Sequence, residues 1–352
     1  MTRYAVAGCG MMGREHIRNL ALIDGTELVA VSDPDAGSRQ RALAEEAGGR
    51  VALFEDAETM MREAAPDAVI VASPNHTHRA VVETLAPFAP ALLVEKPLAT
   101  TVGDARALHA LAQGYGALFW VGLEYRFMPP ITAMVARVHQ ELTGPVKMLS
   151  IREHRFPFLP KVGDWNRFSA NTGGTLVEKC CHFFDLMRVI LRDEPTRIYA
   201  SGAQDVNHLD ERYGGRVPDI LDNAFVVVDF AGGARASLDL CMFAEGAPEQ
   251  EEVSVTGPLG RLDVSIPGAE LAWHPRNHAG GWREAIKTPA AAMAAGTHHG
   301  ATFFQLQAFH RALTTGGAPV VSSLDGLRSV EMGAAAHRSI ETGQAIDMRT
   351  VA

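Results

Sequence analysis

Residues 3–23 read RYAVAGCGMMGREHIRNLALI. The fold turns on how Gly8, Gly10 and Gly13 divide this stretch. Before them lies a short apolar run suited to a buried strand; after them comes a segment of helical period, EHIRNLALI (15–23). A glycine in the first slot allows a tight turn. One in the second lets a phosphate approach the backbone, and one in the third lets the helix pack close to the strand. The helix start also offers unbonded N–H groups to an anion. Gly8, Gly10, Met11, Met12 and Gly13 are therefore the expected pyrophosphate cradle of a dinucleotide. Glycine turns are common, so the neighbouring residues carry the weight. Asp33 closes the next apolar run, ELVAVSD (27–33), 20 residues beyond Gly13. A carboxylate there accepts the ribose diol of NAD and repels the 2′-phosphate of NADP. Arg39 and Arg41 leave room for that phosphate; capping the turn before Pro34 is the alternative role for Asp33, which the order strand, turn, helix and acid disfavours.

Outward from this stretch, DAVIVAS (67–73), ALLVEK (91–96) and ALFWVGL (117–123) read as further buried parallel strands, with GDARALHALAQ (103–113) as a helix between two of them. Such alternation predicts a doubly wound α/β sheet. After RFMPP (126–130) the texture changes. KMLSIREH (147–154) reads as another strand, and NAFVVVDF (223–230), ARASLDLCMF (234–243) and EEVSVTG (251–257) alternate as in an antiparallel sheet with one exposed face. Helical period returns at 297–313 and 324–340. The expected fold is α/β, with a dinucleotide-binding domain at 1–123 and a second α/β domain at 124–352 whose sheet is open and mostly antiparallel. The Gly- and polar-rich stretches 203–219 and 267–296 read as surface loops and candidate lids.

A net charge of -9 argues against nucleic acid or an anionic membrane as the main partner. No apolar run approaches the roughly 18 residues of a membrane span. MTRYAVAGCG enters the glycine turn without the apolar region and cleavage site of a signal peptide. Four cysteines without framework spacing suit a reducing compartment. The expected location is the cytoplasm.

Polar residues at strand ends carry the candidate chemistry. SPNHTH (73–78) places Ser73, Asn75 and His76 at the edge where open α/β sheets bind ligands, although a plain turn explains them equally. In VEKPL (94–98), Lys96 follows Glu95 at the end of an apolar strand and needs a partner or a wet cleft; Pro97 holds its turn. Arg126 is counted with the cofactor residues. GGTLVEKCCHFFD (173–185) invites metal or thiol readings. On one helix beginning near Thr175, Glu178, His182 and Asp185 share a face. No second cluster completes a zinc site, and His182 points away from its neighbour Cys181, so no metal is expected and both cysteines read as small buried hydrophobes. A capping box from Thr175 to Glu178 is the alternative for the glutamate. REHRFPFLPKVGDWNRF (152–168) gathers Arg152, Arg155, Lys161 and Arg167 with His154, Trp165 and Asn166. It reads either as an anion clamp with an aromatic platform for a sugar ring, or as a basic loop or subunit contact. His299 joins the substrate candidates.

Taken together, Gly8-Gly10-Gly13, Asp33, SPNHTH, EKP (95–97) and GGTLVEKCCHFFD resemble the glucose–fructose oxidoreductase/inositol dehydrogenase (Gfo/Idh/MocA) family over essentially the whole chain. The resemblance implies a Rossmann domain with NAD, a C-terminal α/β domain whose open sheet often joins subunits into homo-oligomers, and oxidation of sugar or cyclitol hydroxyls. It implies that Lys96 is the catalytic lysine beside nicotinamide and substrate. Glu178 and His182 fall on the acid and histidine of the family's D-x-G-x-H pattern, from which this chain departs with Glu178 for aspartate and Cys180 for glycine. EKCCHFFD and the 152–168 stretch are similar to the family's NAD-dependent sulfoquinovosidase branch. The expected reaction is hydride transfer at a ring hydroxyl, C3 of an anionic pyranose. The alternatives are a glycosidase that retains its NAD and a sensor that binds NAD without turnover. The presence of both Lys96 and His182 argues against the sensor.

Overall fold

A computed structural model describes residues 1–45, 51–277 and 279–351. The chain divides into two units. One comprises Met1–Glu124, Lys161–Trp165 and Pro289–Val330; the other comprises Tyr125–Pro160, Asn166–Thr288 and Glu331–Ala352.

In the first unit lie β1 (Thr2–Ala7), β2 (Thr26–Ser32), β3 (Ala52–Phe54), β4 (Ala68–Val71), β5 (Ala91–Glu95) and β6 (Phe119–Gly122). They form one sheet in the order β3-β2-β1-β4-β5-β6, with every pair parallel. Val69, Ile70, Leu92, Leu93 and Val94 are fully buried, as strands covered on both faces must be. The order reverses between β1 and β4, so the carboxyl ends of those strands open the crevice where such sheets bind ligands.

Two details differ from the sequence expectation. The short strand β3 carries too few residues to show a period. The first helix spans Met11–Leu20, starting four residues before its apolar pattern begins. Its first turns hide behind Glu15 and His16, which are polar yet buried. Gly8 has φ +100°, a conformation that disfavours a side chain. A methyl group on Gly13 would lie 1.9 Å from the Gly8 carbonyl oxygen.

The second unit holds β7 (Met148–His154), β8 (Pro195–Ala203), β9 (Asn223–Phe230), β10 (Arg235–Cys241), β11 (Glu251–Thr256), β12 (Gly260–Ile266), β13 (Glu270–Pro275), β14 (Trp282–Ala285) and β15 (Ile346–Asp347). Their order is β14-β13-β12-β11-β7-β10-β9-β8-β15. β7 and β10 run parallel, and the pairs from β8 with β9 to β13 with β14 run antiparallel. In β9, Ala224, Val226, Val228 and Phe230 face the core. Phe225 and Val227 alternate with them and point outward, joined by exposed Met148 and Tyr199 on β7 and β8.

The stretch 267–296 is not a loop. It contains β13, β14 and the helix Ala290–Ala294, with Trp273 buried in β13; His278 lies outside the described residues. Glycines and polar residues flanking two short strands disguised them. After β8, the loop up to residue 219 is irregular but tied down. The Asp222 carboxylate accepts the N–H groups of Asp205, Val206 and Asn207, and Arg167 bonds Glu211 at 2.9 Å. Among the described residues, no helix is long and apolar enough to cross a membrane.

The glycine contact gives a stability test. Gly13→Ala should lower Tm by roughly 5 °C or more, since overpacking costs about 1–3 kcal/mol and here the clash is with backbone. A methyl group on Gly10 meets nothing within 4 Å, so Gly10→Ala should leave Tm within about 2 °C. Thermal unfolding followed by circular dichroism compares the two.

Candidate functional site

In the first unit the backbone passes from β1 through Gly8 and Gly10 directly into the helix Met11–Leu20, whose first N–H groups have no acceptor within the helix. A methyl group on Gly8 would sit 2.4 Å from the Ser73 nitrogen, whereas the space over Gly10 is open. The turn is closed behind and open in front, as a pyrophosphate on the helix start requires. At the end of β2 the two carboxylate oxygens of Asp33 accept the N–H groups of Cys9 and Asp35, each at 2.8 Å. These bonds orient the carboxylate and leave lone pairs for ribose hydroxyls, so the turn-capping and ligand roles are compatible. Arg39 donates to the Asp33 and Pro34 carbonyls and Arg41 to Ser38 and Asp35, which occupies both arginines locally.

At the end of β4, Asn75 is 7% exposed and its Nδ2 has no hydrogen-bond partner among the described residues. A buried donor left in that state is costly, and a polar ligand group would satisfy it. The Ser73 hydroxyl accepts from Thr77 at 2.8 Å. His76 is exposed and its ring meets Trp165 edge-on, with centroids 6.0 Å apart. His78, the last residue of SPNHTH, was missed by the sequence reading. It is fully buried, with its ring nitrogens 2.9 Å from the Pro97 oxygen and 3.0 Å from the Ser73 oxygen. Burial holds its proton affinity below the usual range. One imidazole thus ties the turn after β4 to the turn after β5.

Lys96 is half-buried at the end of β5, before a cis Lys96–Pro97 bond. Its N–H donates to Glu95 Oε2 at 3.2 Å, and Glu95 Oε1 lies 2.7 Å from His16 Nε2. Burial would raise the Glu95 carboxyl, but the hydrogen bond and charge of His16, with the charge of Lys96, hold it below the carboxylate range. His299 has φ +53° just before the helix Ala301–Thr315.

In the second unit GGTLVEKCCHFFD is not one helix. A short helix Thr175–Glu178 and a longer one Cys181–Leu191 meet at Lys179 and Cys180. The short helix is entered from Gly174, whose oxygen takes the Glu178 N–H at 2.9 Å, so Thr175 does not cap it; the Thr175 hydroxyl donates to the Leu221 carbonyl at 2.6 Å. Glu178 and His182 are both buried. The His182 ring lies flat on Tyr125, 3.8 Å between centroids at 7°. Cys180 and Cys181 are fully buried, and Cys181 donates to the Glu178 carbonyl at 3.4 Å. Asp185 is clamped by Arg126 through two hydrogen bonds, one of 2.9 Å. Among the described residues no three His, Cys, Asp or Glu side chains group to hold a metal.

The basic stretch divides between the units, Lys161 and Trp165 going with the first and Arg152, Arg155, Asn166 and Arg167 with the second. Each arginine meets a carboxylate: Arg152 with Glu252 at 2.5 Å, Arg155 with Glu153 at 3.3 Å, and Arg167 with Glu211 at 2.9 Å. Asn166 is fully buried and donates to the Leu159 carbonyl.

Comparison with known proteins agrees with both halves. The family model described as "Oxidoreductase family, NAD-binding Rossmann fold" matches residues 2–123, and "Oxidoreductase family, C-terminal alpha/beta domain" matches residues 136–348. The chain is 28% identical over 354 residues to inositol 2-dehydrogenase 1 of Saccharopolyspora erythraea, covering 98% of this chain and 96% of that one. It is 26% identical over 359 residues to scyllo-inositol 2-dehydrogenase (NAD(+)) of Bacillus subtilis, again covering 98% and 96%. A levoglucosan dehydrogenase solved in complex with NADH and levoglucosan has the same fold, with TM-score 0.85 at 17% identity and 99% of each chain covered. This chain belongs to the Gfo/Idh/MocA family of oxidoreductases, and its cofactor is NAD.

Proposed function

We propose that the enzyme oxidises a ring hydroxyl of a sugar or cyclitol, with NAD as hydride acceptor. What carries the reading is the open cradle over Gly10 beside an oriented Asp33, in a chain whose relatives are named for inositol oxidation. NAD supplies the redox step when bound. The N–H groups at Gly10, Met11, Met12 and Gly13 hold the pyrophosphate, and Asp33 takes the ribose diol. Ser73, Asn75 and His76 line the end of β4, and Glu95 anchors the turn that presents Lys96.

Removing hydride from a carbinol requires its hydroxyl proton to leave, so a base poised near neutrality is needed. His182 takes that role, with Glu178 as its polariser or a substrate ligand. Lys96 supplies a cation to the developing alkoxide. Trp165 and His76 offer an aromatic face to a ring, with Lys161, Asn166 and His299 as polar contacts. An anionic substituent is not required, because Arg152, Arg155 and Arg167 already face carboxylates. For a pyranose we place the oxidised carbon at C3.

Lys96→Ala and His182→Ala should each lower kcat by roughly 100-fold or more on a panel of inositols, levoglucosan and free aldoses, with NAD affinity nearly unchanged. Wild-type turnover by either variant would overturn the assignment. Stoichiometric NADH is expected; aglycone release from a glycoside without net NADH would replace the dehydrogenase with the glycosidase.

Cofactor choice is a separate test. NAD should bind at least about 10-fold tighter than NADP by fluorescence titration, and Asp33→Ser should narrow that gap. Tighter binding of NADP to the unaltered enzyme would remove Asp33 from the ribose.

We also propose that the outward apolar residues Met148, Tyr199, Phe225 and Val227 meet a second copy of the chain. Light scattering should find a homo-oligomer, and Phe225→Glu should shift it towards monomer; a monomeric wild type would end the idea.

A further inference from the structure

Lys179 is the one charged residue of GGTLVEKCCHFFD, apart from Asp185 on Arg126, that the proposed chemistry leaves unused, and it is only 3% exposed. A lysine so buried must be paired. Its Nζ lies 2.6 Å from the Tyr125 hydroxyl and 2.8 Å from Glu153 Oε1. Glu153, fully buried, also faces Arg155 at 3.3 Å. The Tyr125 hydroxyl hydrogen-bonds Glu251, whose carboxyl is pushed up to about 8 by burial and then by the charge of Glu153. Near neutral pH Glu251 therefore keeps its proton, and two cations, Lys179 and Arg155, face the single carboxylate Glu153. Burial and then Arg155 pull the Lys179 ammonium below the usual lysine range, while the Glu153 carboxylate opposes them. With a carboxylate and a phenol oxygen both in reach of its protons, the ammonium is the form that this geometry satisfies.

Tyr125 carries two neighbours. The His182 ring lies on its face and the Lys179 ammonium on its hydroxyl. We propose that Lys179 is a positioning residue for His182: through Tyr125 it holds the plane of the imidazole, and its charge keeps that imidazole in the neutral form able to take a proton. This rests on His182 being the base. The remaining charged groups near His182 along its own segment are Glu178, four residues before it, and Asp185, three after it and clamped by Arg126. Those facing Lys179 are Glu153, Arg155 and Glu251.

The sign follows from charge. A nearby cation disfavours imidazolium, and a nearby carboxylate favours it. Lys179→Gln keeps a hydrogen-bonding side chain but removes the cation, so the His182 titration midpoint should rise by about one pH unit. Glu153→Gln removes the opposing carboxylate, so the midpoint should fall. Lys179→Arg should restore the wild-type value. NMR titration of nitrogen-labelled histidines in the full chain with NAD measures all three, with the His182 signal identified by its loss in His182→Asn.

A residue that only packs would shift both charge variants the same way or not at all, and either result would overturn the proposal. If Lys179→Gln does not fold, the sign of the Glu153→Gln shift decides alone. The titration needs no turnover, so failure of His182 as the base would show separately, as retained activity in His182→Ala.

Discussion

The first unit depends on one close approach, where Gly13 of the opening helix meets the Gly8 carbonyl with no room for a methyl group. Because the helix lies so near the sheet, its next residues, Glu15 and His16, enter the interior. His16 pairs with Glu95 at 2.7 Å, and Glu15 lies 2.8 Å from both His298 and the Thr302 hydroxyl. Glu124, fully buried, lies 2.5 Å from the same hydroxyl. Three carboxylates therefore share two imidazoles, with the Lys96 charge also acting on Glu95. Burial singles out Glu124, raising it, while hydrogen bonds from His298 and Thr302 outweigh burial and hold Glu15 down to about 2. The hydroxyl of Thr302 has one proton to give. Protonated Glu124 donating to it, and it donating to Glu15, satisfies both contacts.

The second unit also pairs its buried charges, and its basic stretch takes part in that pairing. As a string of letters, Arg152, Arg155 and Arg167 look like an anion clamp. Folded, each faces a carboxylate: Arg155 meets Glu153 of the same stretch, Arg152 meets Glu252 on β11, and Arg167 meets Glu211 on the loop after β8. Each pairing takes up part of a guanidinium's five donors, and the Nε atoms of Arg152 and Arg155 are buried without a hydrogen-bond partner among the described residues. Arg126 shows the same effect. Its Nε and Nη2 are bonded to Asp185.

The legible parts of the chain were those in which one residue type at one position has one physical meaning. Gly8, Gly10 and Gly13 between a strand and a helix gave the first fold, and alternation in β9 to β11 gave the second sheet. What escaped was whatever depends on partners far away in sequence. His78 sits in a quoted motif, but its role as a tie needs Pro97, 19 residues on. The break at Lys179 and Cys180 is invisible to helical period, because Thr175, Glu178 and His182 keep helical spacing on either side of it. The hairpin of β13 and β14 was lost among glycines, since a strand of four residues gives alternation almost nothing to act on.

The two departures from the family's D-x-G-x-H pattern are explicable in the same terms. Glycine is required where the backbone enters the left-handed region or where a neighbour leaves no room for Cβ. Cys180 has φ -82° and ψ -5°, a conformation open to any residue. Its thiol lies in the core with Cys181, Phe183 and Phe184, so a small apolar side chain replaces glycine by filling space rather than by straining the chain. Glu178 carries one methylene more than aspartate, and it sits on the short helix while His182 sits on the next. A rigid single helix would have fixed the offset between acid and histidine and made the extra length hard to absorb. With a break between them, the backbone can set each side chain separately, and the longer acid need not move the imidazole, which lies flat on Tyr125.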